Sequence, residues 1–265
     1  MKVSVSILKE KNNIENVIKK ICLTDADYIH IDVQNNTYTD NISFPISDFD
    51  NINDYNNKKL DIHLMCIEPK EEINEYSKLN PEYITFHIEA VNDPYEYIKL
   101  IKSYGIKVGI ALNPETDVNK IIEYLPYIDM VLVMSVIPGK GGQSFIDNTS
   151  YKMEELYNLK SRYNYIICAD GGINDKTINI VNKYLGINNL VSWDTFGLMV
   201  NFLMVESVTR FKTENVDLRK NINDFIKEWE KKKIYFAQVK SRALKISKFL
   251  LKFFDSFQNK INLLK

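Results

Sequence analysis

Four side chains of this sequence combine into a chemically capable set. His30 and Asp32 lie two positions apart in Tyr28-Ile29-His30-Ile31-Asp32-Val33, His63 lies in Leu60-Asp61-Ile62-His63-Leu64-Met65, and Asp170 ends Ile166-Ile167-Cys168-Ala169-Asp170 just before Gly171-Gly172. Two imidazoles and two carboxylates form a mixed nitrogen and oxygen donor set, suited to one divalent metal ion such as zinc, iron, manganese or cobalt. In an extended strand the side chains alternate between faces, so His30 and Asp32 share one face while Ile29, Ile31 and Val33 take the other. Asp61, His63 and Met65 share a face in the same way. His87 and Glu89 repeat the His-x-acid spacing, and a hydrogen-bonded supporting role is expected for them.

These residues need elements to hold them. Strand-like runs begin near Val3, Tyr28, Leu60, Tyr83, Lys107, Met130, Tyr165 and Asn189, and most of the intervals carry an amphipathic helical pattern, as from Asp93 to Tyr104. Parallel strands buried on both faces read as nearly continuous apolar runs, as Met130-Val131-Leu132-Val133-Met134 does. The alternation predicts an α/β fold, a (β/α)8 barrel, with His30, Asp32, His63, His87, Glu89, Asn113 and Asp170 late in their strands, at the end where such barrels build active sites. An open doubly wound sheet is the competing architecture, but Lys9-Glu10-Lys11-Asn12-Asn13 after the first strand contains no glycine for a phosphate-binding turn.

The 265 residues suffice for one large domain plus an appendage, and the formal net charge of −1 conceals an uneven distribution. Residues 231–265 contain ten Lys or Arg and a single acid, Asp255. We expect a barrel over 1–210 and a charged, basic amphipathic helical extension over 211–265. There Val239, Ala243, Ile246, Leu250, Phe253, Phe257, Ile261 and Leu264 recur at three- and four-residue spacing. Near-heptad spacing favours burial against the barrel or in a homo-oligomer over a peripheral membrane or protein contact through residues 231–265. Nucleic acid is not an expected partner, since the barrel region is not basic. Cys22, Cys66 and Cys168 show no paired spacing, and the chain shows neither a secretion signal nor an apolar run of about 18 residues, so a cytoplasmic location is expected.

Several fragments together resemble the ribulose-phosphate 3-epimerase family, in order and at similar separations, from about residue 3 to 200. They are Ser6-Ile7-Leu8, His30-Ile31-Asp32-Val33, Asp61-Ile62-His63-Leu64-Met65, Leu112-Asn113-Pro114, Asp170-Gly171-Gly172 and the highly specific Met134-Ser135-Val136-Ile137-Pro138-Gly139-Lys140-Gly141-Gly142-Gln143-Ser144-Phe145. The resemblance implies an isomerase that inverts the carbon next to a ketose carbonyl, with a metal on the residues matching His30, Asp32, His63 and Asp170. It implies Asp32 and Asp170 as the acid and base, with His63 beside the substrate. By the same resemblance Met65 and Met134 line the site, Gly141, Gly142 and Gly172 offer backbone amides to a substrate phosphate, and Ser6 and Asn113 are lesser polar contacts. Gln143 is expected to shape its own loop.

Two departures bear on the substrate. Gln34-Asn35-Asn36 stands where the family has Met-Asp-Gly. Leu190-Val191-Ser192-Trp193-Asp194-Thr195-Phe196 stands where it has a Gly-Ser pair completing the phosphate cup, and an indole and a carboxylate there would crowd and repel a phosphate. Two readings stay open: a ketose phosphate held more weakly by the other glycine turns, or a ketose without a phosphate at that spot, such as a modified sugar of surface-polysaccharide synthesis. The changes favour a specialised substrate slightly over ribulose 5-phosphate. A reading from another class is a catalytically silent barrel that serves as a binding or scaffolding module through its basic C-terminal helix.

Overall fold

The computed structural model describes residues 2–8, 13–174, 176–185 and 189–194. The expected boundary at residue 210 and the apolar stripe from Val239 to Leu264 lie outside the described residues, and so do the oligomer and membrane-surface expectations drawn from them. Eight parallel strands close into a barrel in chain order. They are β1 (Lys2–Ser6), β2 (Tyr28–Gln34), β3 (Lys59–Met65), β4 (Tyr83–His87), β5 (Lys107–Leu112), β6 (Met130–Met134), β7 (Ile166–Asp170) and β8 (Leu190–Asp194). Between them run α1 (Ile14–Cys22), α2 (Ile52–Tyr55), α3 (Lys70–Tyr76), α4 (Pro94–Ser103), α5 (Ser150–Leu159) and α6 (Ile178–Leu185), while β5 and β6 are joined by 3-10 turns at Val118–Lys120 and Ile122–Tyr127. The (β/α)8 architecture is the one expected. Tyr165 and Asn189 fall just outside the strands they were expected to begin. Tyr165 Oη donates to the carbonyl of Leu156 at 2.7 Å, and Asn189 Oδ1 accepts from the Ile167 amide at 2.8 Å.

The strand alternation sorts the core into two layers. Ile29, Ile31, Val33, Ile62, Leu64, Ile84, Phe86, Val108, Ile110, Val131, Val133 and Ile167 join Val17, Ile18, Ile73, Ile98, Ile101, Met153 and Val181 in the layer between barrel and helices. A second cluster, Tyr28, Tyr83, Ala111, Met130, Leu132, Cys168 and Leu190, fills the barrel itself. Closing the barrel therefore buries both faces of each strand, with about 1.5–3 kcal/mol from each large aliphatic side chain removed from water. Cys168 is wholly enclosed there, and burial pushes its thiol well above the usual range, which leaves it unreactive.

Local signals set the helix ends. Asp93 accepts from the Tyr95 amide at 3.0 Å and Pro94 opens α4, two N-terminal devices in sequence. Gly105, at φ 74°, ends the segment in the left-handed conformation that glycine takes without steric cost. In between, Tyr97, Ile98 and Ile101 form the buried face. Among the described residues no helix is long and apolar enough to cross a membrane.

Candidate active site

His30 is the third residue of β2 and is wholly buried. Strand register places it beside Ser6 on β1 and Asp61 on β3. Its Nδ1 meets Asp61 Oδ2 at 2.8 Å, and the same oxygen of the fully buried Asp61 accepts from Ser4 Oγ at 3.0 Å. With Nδ1 held by one carboxylate, Nε2 is turned toward two others. It makes no hydrogen bond and lies 3.2 Å from Asp32 Oδ1 and 3.9 Å from Asp170 Oδ2. Asp32 is oriented in turn by Ser6 Oγ, which donates to its Oδ2 at 2.8 Å. His63 Nδ1 lies 3.0 Å from Asp32 Oδ1 and 3.9 Å from Asp170 Oδ2.

One donor atom from each of His30, Asp32, His63 and Asp170 thus lies within 4.8 Å of the other three. Ligands about 2.1 Å from one tetrahedral cation stand about 3.4 Å apart, so this spacing fits a single divalent ion. The orphaned, buried Nε2 of His30 is the sharper sign. A buried ring nitrogen facing two carboxylates is an arrangement that a cation completes.

The two carboxyls are pushed apart electrostatically. Burial raises both, but at Asp32 it is overcome by the charge and hydrogen bonds of His30 and His63, which hold this group well below the usual carboxylate range. At Asp170 burial prevails over the attraction of His30, and the neighbouring Asp32 charge adds to it, so this carboxyl is raised. Burial disfavours the cationic form of His30, yet Asp32 and Asp61 together raise it well above the usual imidazole value. At His63 burial outweighs the bond to Asp32, and the pKa falls.

His87, the last residue of β4, is wholly buried, with its Nε2 at 2.9 Å from His63 Nε2. Beyond it stand Glu89 and Tyr38, two residues past β4 and in the loop after β2. Sequence reading anticipated His87 and Glu89 as supporting residues. It did not assign Asp61 or Tyr38. Asp61 carried a signal, since it shares the face of His63 and a carboxylate buried in a strand requires a partner. Tyr38 carried none.

Above this cluster lies a cleft that is partly open to solvent. Asp32 and Asp170 line it, whereas His30 and His63 do not and sit beneath. Ser6, Met65, Met134, Gly141, Gly142 and Gly172 line it as well, together with Lys140 and Ser192. Gly172, at φ 66°, packs so closely that an added Cβ would sit 2.5 Å from the backbone nitrogen of Phe145, which seats the loop after β7 on the loop after β6. Ser135 fixes the same junction, since both its amide, at 2.7 Å, and its hydroxyl, at 2.8 Å, donate to the carbonyl of Asp170. Gln143 Nε2 donates to the carbonyls of Ile137 and Lys140 at 2.6 and 2.7 Å, the loop-shaping part expected of it. Asn113 does not line this cleft; its amide nitrogen Nδ2 donates to Tyr38 Oη at 2.7 Å.

A model of the ribulose-phosphate 3 epimerase family matches residues 2–196. The chain belongs to this family. It is 36% identical over 181 residues to a ribulose-phosphate 3-epimerase of Helicobacter pylori, covering 67% of this chain and 82% of that one. With the ribulose-phosphate 3-epimerase of Candida glabrata it shares 42% identity over 95 residues, 36% of this chain but only 37% of the relative. In structure the chain is similar to a phosphoribosyl anthranilate isomerase from Thermococcus kodakaraensis, with a TM-score of 0.52 and 15% identity over 73% of this chain and 88% of the other, which speaks for the barrel alone.

The two departures from the ribulose-phosphate 3-epimerase pattern have different structural weight. Asn36, where the family has glycine, adopts φ 62°, the left-handed conformation that asparagine tolerates better than other side chains do. Asn35 anchors this segment by donating from Nδ2 to Glu72 Oε1 at 2.6 Å and accepting from the Thr37 amide at 3.1 Å. At the second departure, register pairs Trp193 with Val5 and Asp194 with Ser6 on β1. Their side chains, and Thr195 and Phe196, lie outside the described residues.

Proposed function

We propose that this protein epimerises a ketose phosphate at the carbon next to the carbonyl, with Asp32 and Asp170 as its acid/base pair. One observation carries the reading: two carboxyls, Asp32 and Asp170, face the same cleft above a four-donor cluster. Asp32, kept ionised by the flanking histidines, removes the proton from one face of the substrate. Asp170 delivers a proton to the opposite face, and the roles exchange in the reverse direction. A divalent ion on His30, Asp32, His63 and Asp170 would supply Lewis-acid stabilisation of the enediolate oxygens. Met65 and Met134 keep water from the reacting carbon. Ser6 acts through Asp32, whose orientation it sets.

Recognition of the phosphate falls to the amides of Gly141, Gly142 and Gly172 and to the ammonium of Lys140, the only cationic side chain lining the cleft among the described residues. This anion-binding rim, and relatives named for ribulose phosphate, move the reading from a modified surface sugar to a sugar phosphate. Incubation with ribulose 5-phosphate and a divalent metal in deuterated water should label the α carbon at the rate of inversion. A metal-loaded protein that labels no ketose phosphate would sink the proposal. Lys140→Ala should raise KM for ribulose 5-phosphate about tenfold and leave kcat nearly unchanged, the pattern of an exposed charge that binds substrate and transition state alike. Steady-state kinetics of the variant read both parameters.

A further inference from the structure

We propose that Asn41 and Thr39 are positioning residues for the anionic group of the substrate: from the loop after β2 they hold Gly139 in the loop after β6, so that segment 140–142 offers amides rather than carbonyls to the cleft. The inference rests on the reading of that segment as a phosphate rim.

The loop after β2 is cross-linked within itself. The Ser43 amide donates to the Gln34 carbonyl at 3.0 Å, and the Gln34 amide to Ser43 Oγ at 2.9 Å. Asn35 and Ile42 form an antiparallel bridge, and the Asn36 amide donates to the Asn41 carbonyl at 2.9 Å. The result is a short hairpin over residues 34–43. The Ile67 amide, donating to Thr37 Oγ1 at 2.9 Å, ties its tip to the loop after β3. Side chains on its returning arm are therefore held at a fixed place.

Two of them meet Gly139. Asn41 Nδ2 donates to the Gly139 carbonyl at 3.1 Å. Thr39 lies so close that a Cβ on Gly139 would stand 3.0 Å from its Cβ and Cγ2. Thr39 is held in turn by buried Gln34, whose Oε1 accepts from Thr39 Oγ1 at 2.8 Å. Gln34 stands where the ribulose-phosphate 3-epimerase family has methionine, a far weaker acceptor, so this departure adds a link to the latch.

The consequence for an anion is electrostatic. A carbonyl and the amide that follows it point opposite ways across one planar trans peptide, so drawing the Gly139 carbonyl onto Asn41 turns the Lys140 amide away from the loop after β2. Gln143 Nε2 takes the carbonyls of Ile137 and Lys140 in the same manner. Three carbonyls of this loop thus end on side-chain amides, while Gly139, Lys140, Gly141 and Gly142 line the cleft. Carbonyl oxygens repel an anion and amide hydrogens attract it, and the latch keeps the first turned aside.

Hydrogen exchange of the full chain, read by mass spectrometry with and without inorganic phosphate, tests the role. Asn41→Ala should speed exchange of amides 139–142 about fivefold, the effect of one lost neutral hydrogen bond, and leave the strands unchanged. Phosphate should protect these amides in the parent, and half-protection of Asn41→Ala should need about fivefold more of it. Asn41→Asp keeps the shape but sets an oxygen against the Gly139 carbonyl, and should lose at least as much. Thr39→Val removes only the donor to Gln34, should shift half-protection about two- to threefold, and carries the test if Asn41→Ala does not fold. KM of Asn41→Ala for ribulose 5-phosphate should rise about fivefold with kcat within about twofold of the parent. Parental exchange or parental phosphate dependence in folded Asn41→Ala, Asn41→Asp or Thr39→Val would overturn the inference and leave the phosphate rim standing. A parent that phosphate does not protect would remove the rim, and this inference with it. Exchange requires no turnover, so an inactive protein that behaves as expected here would count against epimerisation alone.

Discussion

Asp170→Asn is expected to lower epimerisation by about a thousandfold while the barrel stays folded, a loss in the range of a removed acid/base group. The side chain faces the cleft at 14% exposure, so the substitution leaves no cavity in the core. Its backbone is held independently by the amide and hydroxyl of Ser135. Asparagine keeps the shape and an oxygen, but has no proton to deliver at neutral pH. Inversion should therefore fail, whereas Asp32 still takes a proton from the epimer whose hydrogen faces it. In deuterated water the variant should exchange the α hydrogen of one epimer only, more slowly than the parent, and without change of configuration. A turnover within tenfold of the parent, measured with circular dichroism confirming the fold, would remove Asp170 from the mechanism.

The second large effect falls on a residue that never touches the cleft. Asp61→Ala takes away the carboxylate that receives Ser4 Oγ at 3.0 Å and His30 Nδ1 at 2.8 Å. It leaves a wholly buried imidazole beside Asp32 without its outer partner. Breaking one side of a buried charged pair typically costs about 3–5 kcal/mol. For a domain of this size that amounts to a fall in Tm of roughly 10 °C. The freed His30 ring would no longer hold Nε2 toward Asp32 and Asp170, and zinc affinity should drop about 10- to 100-fold. Asp61→Asn should be milder on both counts, because its carbonyl oxygen can still accept from Nδ1. Thermal melts and calorimetric titrations of the two variants check this. A Tm for Asp61→Ala within 2 °C of the parent would mean that the Ser4–Asp61–His30 chain contributes little.

Much of this site was legible in the amino-acid sequence, because strand alternation is a local property. A period of two is enough to put His30 and Asp32 on one face and Ile29 and Ile31 on the other, and an apolar run ending in Asp170-Gly171-Gly172 is enough to place a carboxylate at a strand's end. The run from Met134 to Phe145 marked the loop that carries Lys140.

Partners across strands were decided only by the closed barrel. Alternation says that Asp61 and His63 face inward together; the stagger between strands says that Asp61 meets His30 and Ser4 while His63 meets Asp32 and His87. Tyr38 reaches this chain from a loop with no periodic signal. Which nitrogen of each histidine faces the cluster is likewise set by hydrogen bonds from strands and loops distant in sequence. The residue types and their faces were therefore determined by the sequence, and the donor atoms by the tertiary structure, because strand pairing fixes height and neighbour at once and neither is a local property of the chain.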